Sequence, residues 1–479
     1  MEHPLSYDLT HKSATELVAL IRAREVSPVD LIEAHLRQID QINPSLNAIA
    51  TIADDAVDCA REAEAALSAG KTLGPLHGLP ITIKDTIDTV GFRTTSGSRL
   101  RAHNVPKADA PVVARLEAAG AIILAKTNTP EMAIPYETDN PIFGRTNNPH
   151  DHHRTCGGSS GGEAAAIAAC LSPAGIGSDL SGSIRVPAHF CGIAGLKPTT
   201  GRVPVEGHTP ATVGPLSLGA GIGPMARRVD DLALLFSVIA DPTQFEISDS
   251  NIHGDLREKE LRGLKIAWYV DDRCAPVQNE IRKAVEAAAD AFADFGLEVT
   301  QADPPGISTA PRLWIDLFSR AAALEIGSVY RGREAEAGPT VASLLRNLDE
   351  EPHDFEERIE SAERLAAAVV EREQLREELL RWMKTTALIL APVAAIAAFE
   401  HSAERVEVNG QSISIFRAFS YSQTYNVFGL PSVVVPVART VGGLPIGVQV
   451  VGRPFEERTV LAAASVIENA FGGWTKPEN

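Results

Sequence analysis

A lysine at the end of an apolar strand and two serines in glycine loops are the residues of this chain best suited to act together. Pro80-Ile81-Thr82-Ile83 predicts a short buried strand that delivers Lys84 and Asp85. Two serine-rich glycine loops, Gly157-Gly158-Ser159-Ser160-Gly161-Gly162 and Ser178-Asp179-Leu180-Ser181-Gly182-Ser183, flank an Ala-rich segment that reads as a helix. Glycine lets the backbone turn tightly, take positive φ and approach a ligand closely, so each loop can aim N–H groups and hydroxyls into one small space. Burial disfavours the charged form of an amine. A lysine carried inward on such a strand is therefore a candidate base for a serine nucleophile.

Ile83-Lys84-Asp85, the GGSSGG loop, GSDLSGSIR and FCGIAGLKPT, in this order, resemble the amidase signature family. The resemblance extends from about Gly74 to Leu235 and resumes from Asn426 to Phe455 with NVFGLPSVVVPV and GLPIGVQVVGRPF. It implies a Ser-Ser-Lys triad that cleaves or transfers acyl groups at amides. Residue by residue, Ser183 matches the nucleophile, Ser159 the bridging serine on a cis peptide, and Lys84 the base. The implied fold is α/β: a large mixed, mostly parallel twisted sheet flanked by helices on both faces.

An amide is a poor electrophile with a poor leaving group, so one proton carrier must serve both ends of the reaction. A neutral Lys84 takes the proton of Ser159, which takes that of Ser183; run backward, the same chain protonates the departing nitrogen. The N–H groups of Leu180, Ser181, Gly182 and Ser183 are the expected oxyanion hole. Asp179 and Arg185 bracket the nucleophile loop, and the resemblance implies that they brace it; Ser160 is expected to bond nearby backbone. Similar proteins often carry glycine where Ser181 stands. Either serine is strained there, if the position needs φ > 0, or its hydroxyl narrows or polarises the acyl pocket.

The chain has 479 residues, 44% hydrophobic and 22% charged, with a formal net charge of −18. Such acidity opposes nucleic acid or an anionic membrane as partner. Cys59, Cys156, Cys170, Cys191 and Cys274 are too few and too scattered for a disulfide framework, which fits a reducing, cytoplasmic setting. The polar start lacks the pattern of a signal peptide, and the longest apolar run, Ala387 to Phe399, is too short to span a bilayer. No metal or cofactor is expected. Monomer and homodimer stay open.

Elements distant in sequence build one site, so a single amidase domain over residues 1–479 is expected. Residues 1–73 read as an N-terminal helical layer, 74–240 as the signature core, 241–425 as a variable substrate-shaping region and 426–479 as a return to the core. Ser13 with Glu16 forms a capping box, Ser27-Pro28 opens a second helix, and Asp55 to Ser68 is a third. Strand, helix Pro111 to Ala119 and strand Ala121 to Ala125 give a βαβ rhythm. The turn-rich stretch Asn128 to Pro149 places Met132, Ala133, Ile134 and Tyr136 either in a substrate pocket or as pins holding a loop. A strand at Leu264 to Val270, a helix from Val277 to Phe295 and a strand at Leu297 to Gln301 follow the polar connector that leads to Asp255. From Pro304 to Arg381 the chain reads as helical; Trp314, Phe318 and Tyr330 are core aromatics before they are pocket residues.

Several patterns invite other chemistry. Gly70-Lys71-Thr72 lacks the upstream glycine of a phosphate loop, since Ala65 stands there. The GGSSG run satisfies the nucleophile elbow of Ser-His-Asp hydrolases in form, yet that elbow follows a buried strand and His150 to Thr155 is polar. His150, Asp151, His152 and His153 read as a solvated turn rather than a metal cluster. Cys156 and Cys191 lack an activating base, and His189, His208 and His401 are given no role. The leading reading is a hydrolase of small linear amides, carbamates included, with esterase side activity. A second is the glutaminase component of a tRNA-dependent amidotransferase, against which Val186 stands where those relatives usually carry Gln. A third, an inactive binding module, leaves the filled triad unexplained.

Overall fold

The computed structural model describes residues 6–134, 136–240, 261–349 and 355–478. Eleven strands form one sheet. In chain order they are β1 (Ile49–Ile52), β2 (Pro80–Lys84), β3 (Ile122–Thr127), β4 (Ala174–Asp179), β5 (Ala194–Lys197), β6 (Gly221–Ala226), β7 (Lys265–Trp268), β8 (Glu298–Gln301), β9 (Leu388–Pro392), β10 (Ser432–Arg439) and β11 (Pro445–Gly452). Side by side they stand as β1-β3-β2-β4-β6-β5-β10-β11-β9-β7-β8, flanked by helices. The central strands are buried along their length.

The sheet is mixed, as expected, but the mostly parallel balance is corrected. Parallel pairing is confined to β3-β2-β4 and β9-β7-β8. The middle, from β4 through β6, β5, β10 and β11 to β9, is antiparallel, as is β1 on β3. A parallel pair needs a crossover long enough for a helix, whereas antiparallel neighbours such as β10 and β11 need only a short turn. The βαβ rhythm was readable only where a helix intervened.

The N-terminal helices begin where the caps predicted. Ser13 Oγ accepts from the Glu16 N–H at 3.1 Å while Glu16 Oε2 accepts from the Ser13 N–H at 2.7 Å, opening helix Ala14–Arg22. Ser27 caps Pro28–Leu46, whose Leu31, Ile32, His35 and Ile39 are buried. This layer is not purely helical, because Ile49–Ile52 leaves it to become the sheet edge β1; four residues are too short a run to show a period. The polar connector up to Asp255 falls outside the described residues.

Two parallel neighbours position the chemistry. β2 and β4 lie side by side, with Thr82 opposite Gly175 and Ile83 opposite Ile176, so their carboxyl ends emerge together. Lys84 ends β2, and Ser178 and Asp179 end β4. The helix Gly161–Ala168 packs on β4 close enough that a Cβ on Gly177 would come 2.8 Å from Ser160 Oγ. That contact needs glycine. From residue 304 onward the helices Ala310–Trp314, Arg320–Tyr330, Pro339–Asp349 and Phe355–Trp382 appear as expected. Among the described residues no helix is long and apolar enough to cross a membrane, and all five cysteines are free.

Candidate active site

Lys84 is fully buried, and its Nζ lies 2.7 Å from Ser159 Oγ and 2.9 Å from Ser178 Oγ. Burial lowers its pKa to about 7, while the charges of Asp179 and Glu163 pull the other way. Glu163, on the helix Gly161–Ala168, accepts from Thr82 and from Thr127 Oγ1 at 2.8 Å; burial pushes it up to about 7. The Gly158–Ser159 peptide is cis. Ser159 and Ser183 line one cavity, 2% and 8% exposed. No hydrogen bond joins their hydroxyls, and that of Ser183 bonds nothing among the described residues. The Ser160 N–H donates to the Ser183 carbonyl at 3.1 Å, tying the two glycine loops together, and the Ser160 hydroxyl donates to the Ser178 carbonyl at 3.2 Å.

The glycine loop that carries Ser183 is wound around Asp179. Its carboxylate accepts from the N–H groups of Gly182 at 2.9 Å and Ile184 at 3.1 Å, from Arg185 Nε and Nη2 at 3.0 Å each, and from Asn426 Nδ2 at 2.9 Å. Arg185 reaches on to Asn426 Oδ1 at 2.6 Å and Gln449 Oε1 at 3.0 Å. Burial works to raise the Asp179 pKa, but Arg185 and these hydrogen bonds hold it well below the usual carboxylate range. Gly182 takes φ +98°, and a Cβ there would lie 2.6 Å from Ser422 Cβ. Its N–H is committed to Asp179, whereas those of Leu180, Ser181 and Ser183 have no acceptor among the described residues. Of the four N–H groups expected to receive an oxyanion, three are thus without an acceptor among the described residues.

Ser181 keeps a negative φ, so the strain alternative fails. Its hydroxyl meets that of Tyr136, which in turn accepts from Gln423 Nε2 at 2.8 Å. Ser181→Gly should consequently destabilise the protein by about 0.5–1 kcal/mol through added backbone entropy. Thermal melting checks this, and a raised midpoint would restore the strain account.

The cavity has a volume of about 440 Å³. Met132, Ala133, Ile134 and Tyr136 all stand in its wall, together with Trp314 and Phe416 from the later part of the chain. Trp314 Nε1 donates to the Leu180 carbonyl at 2.8 Å, so the later helices touch the Ser183 loop directly. Phe318 and Tyr330 are core: Phe318 is fully buried, and the Tyr330 hydroxyl donates to Glu131 Oε1 at 2.6 Å.

One histidine that was given no role lies at the site, and one sequence reading needs correction. His208 lies in the cavity wall with Nε2 2.9 Å from Ser178 Oγ, one residue removed from Lys84. A lone histidine in a turn carries no spacing signal. Ser178 was in view within its motif, and its place at the end of a strand beside that of Lys84 was the available clue. His150 to His153 is not a turn throughout: Asp151 to His153 belong to the strand Asp151–Thr155, paired with Asn147–Asn148, and His150 Nε2 lies 3.0 Å from the Cys191 carbonyl. Among the described residues no three metal-ligating side chains gather into a site. Burial pushes the Cys156 thiol up to about 12 and Cys191 well above its ordinary value, away from the reactive thiolate. His189 bridges the Gly447 N–H and Ile396 carbonyl in the core, and His401 sits 2.6 Å from Glu137 Oε1.

Proteins of known sequence and structure match the chain along nearly its whole length. It is 32% identical over 469 residues to an acylamidase of Rhodococcus erythropolis, covering 95% of this chain and 94% of that one. It is 34% identical over 484 residues to a glutamyl-tRNA(Gln) amidotransferase subunit of Carboxydothermus hydrogenoformans, covering 96% and 97%. The solved structure of a bacterial aryl acylamidase of the amidase signature family superposes with a TM-score of 0.82 at 26% identity, covering 96% of each chain. The Amidase family model matches residues 30–461, so the chain belongs to that family and is an amidohydrolase acting on carbon–nitrogen bonds other than peptide bonds.

Proposed function

We propose that the cavity is the active site of an amidase for small linear amides with an apolar acyl or amine part, working through an acyl-enzyme on Ser183. The observation that carries this reading is a buried lysine, brought to about pKa 7, that lies behind the cavity wall 2.7 Å from Ser159, which lines the cavity together with Ser183. Rotation of the Ser183 side chain onto Ser159 completes the relay; such contacts often tighten only in the Michaelis complex. Ser183 Oγ then attacks the carbonyl carbon as its proton passes through Ser159 to Lys84. The N–H groups of Leu180, Ser181 and Ser183 receive the oxyanion. The same path returns a proton to the leaving nitrogen, and a water repeats the cycle on the ester.

Wall residues such as Ile134, Leu216, Ile222, Trp314, Ile326 and Phe416 favour an apolar substrate, with aryl amides and aryl carbamates within reach and esters as a side activity. The 34% identity to an amidotransferase component favours a second reading, glutamine hydrolysis for a partner. Glutamine's α-carboxylate would need a cation, and no arginine or lysine appears among the described residues lining the cavity. A panel of 4-nitroanilides, aliphatic amides, aryl carbamates and glutamine tests the order. Apolar anilides are expected to give the highest kcat/KM; glutamine outrunning them, with a further rise on adding tRNA and a partner, would reverse it.

A further inference from the structure

We propose that His208 is a positioning residue for Lys84: it takes the hydroxyl proton of Ser178, holds Ser178 as an acceptor toward the amine, and so leaves the amine's lone pair for Ser159. This rests on the reading of Lys84 as the base. His208 is pinned to the segment that leaves Lys84, forming an isolated antiparallel bridge with Ile87. On either side, the Thr209 N–H donates to the Thr86 carbonyl and the Asp88 N–H to the Gly207 carbonyl, each at 2.8 Å.

The proton inventory follows from the partners. His208 Nδ1 lies 2.8 Å from the Pro210 carbonyl, which can only accept, so Nδ1 carries the hydrogen. Nε2 is left with a lone pair, 2.9 Å from Ser178 Oγ, and takes that hydroxyl's single hydrogen. Ser178 can then only accept from Lys84 Nζ, 2.9 Å away. A neutral amine has two hydrogens and one lone pair; with one hydrogen given to Ser178, the lone pair is free to turn to Ser159 at 2.7 Å. Burial and the nearby Lys84 push the ring down to about 4, so it stays neutral where the lysine works. Without the ring, the Ser178 O–H can reverse and cap the lone pair that Ser159 needs.

The test compares His208→Gln, which keeps an acceptor near the Nε2 position, with His208→Leu, which keeps bulk alone. With hexanoyl 4-nitroanilide as probe, His208→Leu is expected to lower kcat about tenfold, the scale of one buried hydrogen bond. KM should stay within about twofold and His208→Gln should recover most of kcat. Ser178→Ala should lose a similar factor, and His208→Leu added to it should lose no more, since both remove one link. Equal loss in the Gln and Leu variants, unchanged kcat in both, or multiplicative losses in the double variant would overturn the assignment. Should His208→Leu unfold, His208→Ala in the wild-type and Ser178→Ala backgrounds decides: a loss of about tenfold in the first and none in the second supports the link, and an equal loss in both, or none in either, ends it. Failure of the underlying reading shows elsewhere, as full activity in Lys84→Met.

Discussion

Replacing Ser183 by alanine should lower kcat/KM for the best anilide by a factor on the order of 10⁴ or more, the scale seen when a nucleophile is removed from a site whose parts act as a unit. The rest of the loop is expected to survive, because Asp179 holds it through the Gly182 and Ile184 N–H groups, neither of which involves the Ser183 side chain. The loss is therefore chemical, and the variant should still bind substrate with a dissociation constant near the wild-type value. A slow aryl carbamate gives a second readout: intact-protein mass should rise by the carbamoyl group in wild type and not in Ser183→Ala. An adduct that persists in the variant would move the nucleophile to another residue.

The second large effect concerns the base. Lys84→Met should lower kcat about 10³-fold, within the range of general-base contributions. The pH profile carries the sharper statement. With its pKa brought from 10.5 to about 7, Lys84 is largely neutral above pH 7 and protonated below it. Activity should accordingly fall about tenfold per pH unit on the acid side of 7, and the residual activity of Lys84→Met should lack that limb. Glu163 titrates nearby, also at about 7, so a control is needed. Its negative charge raises the lysine's pKa, and Glu163→Gln should therefore shift the limb to lower pH rather than abolish it. A profile that stays flat down to mild acid with chemistry rate-limiting would contradict the lysine mechanism.

What could be read from the sequence divides along a physical line. That Lys84 ends a buried strand and that Ser159 and Ser183 lie in glycine loops was legible because these are local devices, written into adjacent residues; singling out those two serines rested on the resemblance. The helix starts at Ser13 and Ser27 were legible for the same reason. His208 was not, because its part depends on one turn lying against the Thr86-Ile87 segment, a tertiary contact with no periodic trace. Trp314 read as core, and it does pack against Phe318 and Phe416, yet its indole N–H holds the Leu180 carbonyl. The antiparallel middle of the sheet was hidden because buried strands look alike whichever way they run.

The cluster around Asp179 has one more implication, for the order in which the protein becomes competent. Arg185, two residues after Ser183, finds two of its acceptors on Asn426 and Gln449, more than two hundred residues later. A guanidinium left in that interior without them would lack partners it cannot replace from water. On the proposed mechanism, a chain still being synthesised on the ribosome thus carries its serines and lysine well before the segment with Asn426 and Gln449 is made to complete the brace beside them.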